Sequence, residues 1–535
     1  MAKKQQKTTE VSLESILFAC RNTLRGSGGI EKKRDAILGL VFLKFVGDKF
    51  EKQREKIKTE YGDDPAFLED VSFYRADRVF YVGPESRWSY IVDNAGNNDI
   101  AVKLDTAMAK LEEQNEPLRG ALPQKFYSNY SISKETLKEL IDNINRINEN
   151  QFNEKDLIGR VYEYFLQSFA VSASKEDGEF YTPASIVNLI SELIEPYSGV
   201  VYDPCCGTGG MFVQSLKFVE SHHGRTDRIS IVGQEKDPDT WKLAKMNLAI
   251  RGIPHNLGAK NASTFAEDQH KDKKVDFIMA NPPFNLNLKR SGEKLLSDDY
   301  RWAGYGTPPD SNANYAWILH MLSKLDVTNG IAGFLLANGA LKPSDAEKEI
   351  VKNLVENDKI EAIIVLPRDM FYTTDISVTL WILNNNKGKR ILNGRELRDR
   401  HNEVLFVDLR RWDNNTAEYV IEKGKTKKKV VFTQDQIDQI KNIYHGWQTG
   451  DYSDVPELCK SVTKAEIAKQ DYVLAPSKYI EFIDHDLEID YLKEMARIQQ
   501  EMKEVLKQEK ESQKMLEEAF ANLGFEISGG ANGKN

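Results

Sequence analysis

The tetrapeptide Asn281-Pro282-Pro283-Phe284 directly follows the apolar run Val275 to Ala280, and its residue types suit one kind of chemistry. An amino group conjugated to an aromatic ring is a poor nucleophile: its lone pair is delocalised, and removing a proton first is impractical. If the Asn281 side-chain oxygen and the Pro282 carbonyl both accept its hydrogens, the nitrogen is drawn toward a tetrahedral shape. Its lone pair then points at an electrophile. No general base or covalent nucleophile is needed. The two prolines hold the turn rigid, and Phe284 offers a face on which a base rotated out of a duplex can stack.

Three further segments have the make-up of a nucleoside-type binding site. Asp203-Pro204-Cys205-Cys206-Gly207-Thr208-Gly209-Gly210 lies between the apolar Val200-Val201-Tyr202 and the helical run Met211 to Val219. Its glycines let the backbone turn sharply and approach a ligand, while the following helix presents free N–H groups. Dinucleotide sites use the same device, but Gly207-Thr208-Gly209-Gly210 lacks their third glycine at the required offset. Glu235, at the end of the next apolar run, is placed to accept both hydroxyls of a ribose. A helix N-terminal acid is the other reading of Glu235. In Gly178-Glu179-Phe180-Tyr181-Thr182-Pro183, Thr182 and Pro183 can cap the helix carrying Ile186, Val187, Leu189 and Ile190, yet two consecutive aromatics exceed what a cap requires.

The elements that must position these residues follow from hydrophobic patterning. Apolar runs at 200–202, 229–232, 275–280, 331–336 and 360–365 alternate with helical patterns, and several are nearly continuous. They predict strands of a buried parallel sheet in a doubly wound, Rossmann-like α/β domain over 171–390. The unusual sequences fall at the carboxyl ends of those strands, where ligands bind in such sheets. Residues 1–170 read as a mostly helical domain: Leu13, Ile16, Leu17, Leu24 and Ile37, Leu40, Val41, Phe45 repeat at helical spacing around the breaker Gly26-Ser27-Gly28-Gly29. Further helical patterns run over 101–111, 134–147 and 157–170. The charged region 391–485 reads as a mixed α/β extension, with a solvated hairpin or a phosphate contact at Lys423 to Lys429. At 486–527, Leu492, Met495, Met502, Leu506, Leu516, Phe520 and Leu523 fit a heptad seam interrupted by Gln499, Glu509 and Gln513. Such a seam suits a helix docking on a partner more than a self-dimer. Residues 528–535 read as a disordered tail.

Composition narrows the class. The 535 residues carry a formal charge of -9, which argues against coating nucleic acid by bulk electrostatics. The length predicts two or three domains. Four scattered cysteines and eight histidines give neither a disulfide framework nor metal spacing, so reduced thiols and no metal are expected. No apolar run is long enough to cross a bilayer, and the basic start lacks a secretory signal, which predicts a cytoplasmic protein without membrane contact.

Together these motifs resemble the amino-methylating DNA methyltransferases, and more closely the modification subunit (HsdM) of type I restriction-modification systems. The resemblance extends to Phe42-Leu43-Lys44-Phe45 and Ala337-Asn338-Gly339-Ala340-Leu341 and covers most of the chain. It implies transfer of a methyl group from S-adenosylmethionine to N6 of a flipped-out adenine in double-stranded DNA. Glu179, Phe180, Tyr181, Thr182, Pro183, Ala184, Asp203, Gly207, Thr208, Gly209, Gly210 and Glu235 would hold the cofactor. Asn281, Pro282, Pro283 and Phe284 would hold the adenine. Phe371 resembles the family's second aromatic wall, although Tyr372 is adjacent and the choice between them is open. Related enzymes often carry an Asp after the third strand for the cofactor adenine; here Ser263 takes that place, leaving Ser263 itself or nearby Asp268 to serve.

The resemblance also implies a separate specificity subunit (HsdS), bound by two modification subunits. Cleavage would need a further restriction or motor subunit, since the chain has no phosphate-binding Gly-Lys-Ser/Thr loop. A stand-alone amino-methyltransferase acting on DNA, RNA or protein glutamine is the alternative. In the stretch from Asn285 to Asn314, Arg290, Arg301 and Trp302 are candidate DNA contacts, with an ordinary surface loop as the other reading.

Overall fold

The computed structural model describes residues 13–130, 132–147, 161, 164, 182–371, 375–421, 425–483 and 491–522. They fall into two units, Met1–Ile480 and Glu481–Asn535. In the first, the helices are α1 (Leu13–Thr23), α2 (Ile30–Tyr61), α3 (Ile100–Gln114), α4 (Lys134–Asn145), α5 (Ala184–Ile194), α6 (Gly210–Ser221), α7 (Pro238–Ile250), α8 (Asn314–Lys324), α9 (Asp345–Glu356) and α10 (Gln434–Thr449), besides shorter turns. The strands are β1 (Gly199–Asp203), β2 (Ile229–Gly233), β3 (His255–Asn256), β4 (Phe277–Ala280), β5 (Ile331–Ala337), β6 (Ile360–Val365) and β7 (Val378–Asn384). After them come β8 (Arg390–Leu392), β9 (Arg395–Leu397), β10 (Glu403–Asp408), β11 (Thr416–Ile421), β12 (Lys425–Val430) and β13 (Cys459–Thr463).

The N-terminal helices form as the periodicity predicts. Gly26 and Gly28, both at positive φ, turn the chain between α1 and α2, and Ile37, Leu40, Val41 and Phe45 of α2 are fully buried. Ser133 caps α4 by accepting from Thr136 N. This helical core is continuous with α7, whose Leu243, Met246, Ala249 and Ile250 belong to it, and Lys49 Nζ donates to the Ile250 carbonyl at 2.7 Å. The helical pattern at 157–170 falls outside the described residues, apart from Val161 and Tyr164.

Nine strands form one sheet in the order β13-β10-β6-β7-β5-β4-β1-β2-β3. β1 is parallel to β2 and β4, and β4 to β5, as expected of buried, crossover-connected strands. The expectation of a parallel sheet needs one correction. β7 lies between β5 and β6 and is antiparallel to both. No helix separates β6 from β7 among the described residues, and a parallel neighbour would require such a crossover, so the chain returns antiparallel. Every residue of β7 is buried, in keeping with its apolar sequence and central place. β10 and β13 carry the sheet onward from β6, so the charged region after 390 contributes strands to it.

α5 packs on β5 closely enough that a Cβ on Gly333 would lie 2.8 Å from Ile190 Cγ2; the missing side chain sets the layer spacing. From Lys425 onward the basic stretch forms the return strand of the β11–β12 hairpin, with Lys429 buried against Asp375 at 2.7 Å. In the second unit, α11 (Tyr491–Asn522) keeps Met495, Met502, Leu506 and Leu516 exposed along its length. No helix of the described residues is long and apolar enough to cross a membrane.

Candidate active site

Because β1 lies between β4 and β2, the carboxyl ends carrying Asn281, Asp203 and Glu235 stand side by side. The glycine turn follows β1. Asp203 is 1% exposed, its Oδ1 accepts from Cys205 N at 3.0 Å, and burial pushes its carboxyl up to about 7. Backbone bonds from Gln234 N to Asp203 O and from Cys206 N to Gln234 O stitch this turn to the end of β2. Gly207 and Gly209 take φ of +53° and +80°, which glycine adopts without strain. A Cβ on Gly207 or Gly210 would meet nothing within 4 Å, so open space lies over the turn. Thr208 is held from behind by Asn247 Nδ2, which donates to its carbonyl at 2.7 Å.

Glu235 closes this cradle. Its Oε1 accepts from Lys236 N and Asp237 N at 2.7 and 2.8 Å, and its Oε2 accepts from Gly207 N at 2.9 Å. Burial raises its pKa while the three N–H groups favour the charged form. The cap of α7 is Asp237, which accepts from Thr240 N, so Glu235 is not that helix's capping acid.

Asn281 Nδ2 donates to Thr182 Oγ1 at 3.0 Å, which turns the side-chain oxygen to the opposite side. Thr182 therefore serves Asn281 rather than the helix end: α5 starts after Pro183 without a side-chain cap. Ala184 is its first residue. Glu179, Phe180 and Tyr181 lie outside the described residues. Past Pro282 and Pro283, the Phe284 ring meets Phe371 edge-on, with centroids 6.2 Å apart, and Phe371 is fully buried. Tyr372 lies outside the described residues.

Two anchors of the segment that leaves the tetrapeptide were not legible in the sequence. Asn285 sits at φ +54°; its N–H donates to Asn314 Oδ1 at 3.0 Å, and Asn314 Nδ2 donates back to Asn285 Oδ1 at 2.9 Å. This reciprocal clamp fixes the exit of the turn to the start of α8. The other anchor is Arg301, for which the sequence left open a DNA contact or an ordinary surface loop. It is 7% exposed and donates to Thr264 O at 2.9 Å, Phe265 O at 3.0 Å and Asp299 Oδ1 at 2.9 Å. Trp302 is 2% exposed, and its Nε1 donates to Leu296 O. Neither side chain fits the DNA contact or the surface-loop position that the sequence left open: both are inward anchors, drawn in by carbonyls that need donors. Arg290 is exposed.

The carboxylate at the third strand also differs from expectation. Asp268 is committed to Lys324 Nζ at 2.6 Å, beside Tyr300 OH and His270 N, and Lys324 is buried. Ser263 meets another acid: its Oγ donates to Glu293 Oε2 at 2.5 Å, and Glu293 Oε1 pairs with Lys236 Nζ at 2.5 Å. Glu293 belongs to the segment after the tetrapeptide, and no sequence spacing announced that contact. Next to Ser263, Thr264 Oγ1 donates to Pro204 O at 2.5 Å, tying this segment to the glycine turn. A groove of about 580 Å³ bordered by Asn188, Glu192, Phe218 and Lys441 shares only Ala184 with the expected site residues.

Comparison with known proteins finds relatives along most of the chain. The model of the N-6 DNA Methylase family matches residues 153–487, and that of the HsdM N-terminal domain matches 13–144. The chain is 40% identical over 441 residues to the type I restriction enzyme HindI methylase subunit of Haemophilus influenzae, covering 80% of this chain and 93% of that one. It is 32% identical over 533 residues to the MjaIX methylase subunit of Methanocaldococcus jannaschii, covering 96% and 91%. A type I restriction-modification methyltransferase subunit from Streptococcus thermophilus shares the fold, with a TM-score of 0.70 at 24% identity, over 89% of this chain and all of that one.

Proposed function

The chain belongs to the N-6 DNA methylase family, among the methylase subunits of type I restriction enzymes, and on that premise we propose how its residues transfer a methyl group to adenine N6 in DNA. The observation that carries the reading is Asn281 at the end of β4, its amide held by Thr182, beside the cradle of Gly207 to Gly210 and Glu235.

That cradle suits S-adenosylmethionine. Open space over Gly207 and Gly210 leaves room for the backbone to approach a ligand, and the Glu235 carboxylate is an acceptor for ribose hydroxyls. Asp203, Thr208, Gly209, Ser263 and the segment Glu179 to Ala184 complete the set. When bound, S-adenosylmethionine supplies a methyl group on a positively charged sulfur. The chain's part is to ready the acceptor. The Asn281 side-chain oxygen and the Pro282 carbonyl accept the two N6 hydrogens, which localises the nitrogen lone pair. Pro283 stiffens the turn, and Phe284, with Phe371 as adjoining wall, stacks the flipped base. After transfer the nitrogen releases one proton to solvent, so no side chain acts as base.

Choice of the target adenine belongs to a specificity subunit carrying two copies of this chain, with the exposed apolar residues of α11 as the docking surface. A separate restriction or motor subunit performs cleavage, and the assembly works on DNA in the cytoplasm.

The test is Asn281→Ala in the reconstituted complex. Methyl incorporation into DNA is expected to fall by about 10²–10³, the loss typical of one oriented transition-state contact, with S-adenosylmethionine affinity unchanged. Full methylation by that variant would refute the catalytic assignment, and site-specific methylation by the purified chain alone would refute the partner.

A further inference from the structure

We propose that Glu293 reads the adenine amino group of S-adenosylmethionine, so that the segment leaving the catalytic tetrapeptide builds one wall of the cofactor pocket. The proposal rests on the reading of Glu235 as the ribose acceptor and deepens it.

The direction in which the cofactor lies follows from strand order. The strands run β4, β1, β2, β3 across this part of the sheet. The methyl group must reach Asn281 at β4, so the sulfur end of the cofactor belongs over β4 and β1. With the ribose on Glu235 at β2, the purine extends away from Asn281, toward the chain leaving β3. That chain is Ala262-Ser263-Thr264, and Ala262 N donates to the Glu235 carbonyl at 2.8 Å, which keeps it beside Glu235.

Glu293 is the acid at this position. Ser263 Oγ donates to one of its oxygens and Lys236 Nζ pairs with the other, each at 2.5 Å. Its side chain is 15% exposed, and burial opposes its charge, yet the bonds from Lys236 and Ser263 hold the carboxyl below its usual range. It is therefore ionised at neutral pH and can only accept hydrogen bonds. Beyond the bonds it receives from Lys236, Ser263 and Ser291, the carboxylate keeps lone-pair capacity for one further donor. An acceptor of this kind favours an amino substituent on the purine and repels a carbonyl. Asp268 has less to offer: its Oδ2 receives both Lys324 Nζ and the Tyr300 hydroxyl, its Oδ1 receives His270 N, and its side chain is only 8% exposed.

Glu293 and the tetrapeptide share one stretch of chain, which the Asn285–Asn314 clamp and Arg301 both secure.

The experiment is calorimetric titration of the full-length chain with S-adenosylhomocysteine and with its deaminated counterpart, whose purine carries a carbonyl in place of the amino group. The native chain is expected to prefer the amino form by at least tenfold. Glu293→Gln should weaken the amino form by about tenfold and abolish or invert the preference, because an amide can turn its NH2 to the carbonyl. Lys236→Met, which removes the ion pair and keeps the acceptor, should retain the preference. If Glu293→Gln keeps the native preference while Glu235→Gln loses affinity for both ligands, Glu293 is a surface ion pair and the proposal fails. It fails equally if Lys236→Met abolishes the preference. Unchanged binding of both ligands by Glu235→Gln would instead overturn the underlying reading of the site.

Discussion

Replacing Arg301 with alanine should unfold the chain more easily and loosen the cofactor side of the site, without changing how DNA binding responds to salt. The guanidinium reaches the carbonyls of Thr264 and Phe265 and the carboxylate of Asp299, and it packs over the Trp302 ring at 4.8 Å. Alanine leaves two carbonyls without their donor and removes the ion pair from Asp299, whose Oδ1 keeps only the backbone N–H of residue 301. Removing one member of a buried ion pair costs about 3–5 kcal/mol. The Asp299 side chain is 16% exposed and gains some water, which places the expected loss near the lower end, about 3 kcal/mol. Thr264 directly follows Ser263, so methyl-donor affinity should weaken by about tenfold, equivalent to about 1.4 kcal/mol. Arg301→Lys should recover only part of the loss, because an ammonium cannot fork between the carbonyls. Urea denaturation gives the first quantity as a lower midpoint at constant slope, and calorimetry gives the second. The reasoning is refuted if Arg301→Ala is as stable as the native chain while the salt dependence of DNA binding by the complex falls by about one counterion. That pair of results would make Arg301 a phosphate contact.

Three other outcomes follow from the same structure. Asp268→Asn strands the buried Lys324 ammonium and should cost about 3–5 kcal/mol, most of which Lys324→Met in the same chain should restore; equal stability of the single and double variants would contradict the pairing. Asp203 is pushed up to about 7 by burial from an ordinary value of 3.8, so its protonated form is the one the fold favours. Its contribution is complete below pH 3.8 and is lost as pH rises toward 7, and Asp203→Asn should gain on the native chain in thermal melts between pH 5 and pH 8; a constant difference across that range would show no such titration. Met502→Lys with Leu506→Lys on α11 should abolish co-purification with the specificity subunit while leaving the melting of the first unit in place. Intact assembly would remove α11 from the interface.

What could be read in the sequence, and what could not, divides along the range of the interactions. The strands of the central sheet announced themselves through continuous apolar runs, and the motifs at their ends through glycine, proline and acid types that local backbone geometry demands. β7 is equally apolar, but its antiparallel course depends on the connection from β6, which hydrophobicity does not encode. Thr182 looked like a cap because Thr-Pro before a helix suits one; only the fold brings Asn281, 99 residues away, to its hydroxyl. Glu293 and Ser263 are 30 residues apart with no periodic relation, and Asn285 and Asn314 are 29 apart. Side chains that position a site from a long loop leave no pattern, because a loop has no repeat against which an unusual residue stands out. Arg301 and Trp302 could be read only as candidate DNA contacts or ordinary surface-loop residues for the same reason: as residue types they suit either, and burial alone reveals that they face inward.

That inward orientation bears on how the protein meets DNA. The segment 285–313 was the natural candidate for a DNA-contacting surface close to Asn281, yet Arg301 is spent on Thr264, Phe265 and Asp299, while Lys289, Arg290 and Lys294 are its exposed cations. A protein that holds duplex DNA through its backbone typically neutralises about 6–10 phosphates. The whole chain has a formal charge of -9, so such a footprint would have to be assembled locally against an unfavourable field. Division of labour resolves the conflict. If a partner subunit supplies the grip and the sequence reading, the methylase chain needs only to receive one extruded base, for which an amide oxygen, a backbone carbonyl and an aromatic face suffice. On that view charge reversal at Lys289 and Arg290 should lower DNA affinity of the complex only by the one or two counterions those residues release. A collapse of binding by several orders of magnitude at fixed salt would place the principal grip on this chain instead.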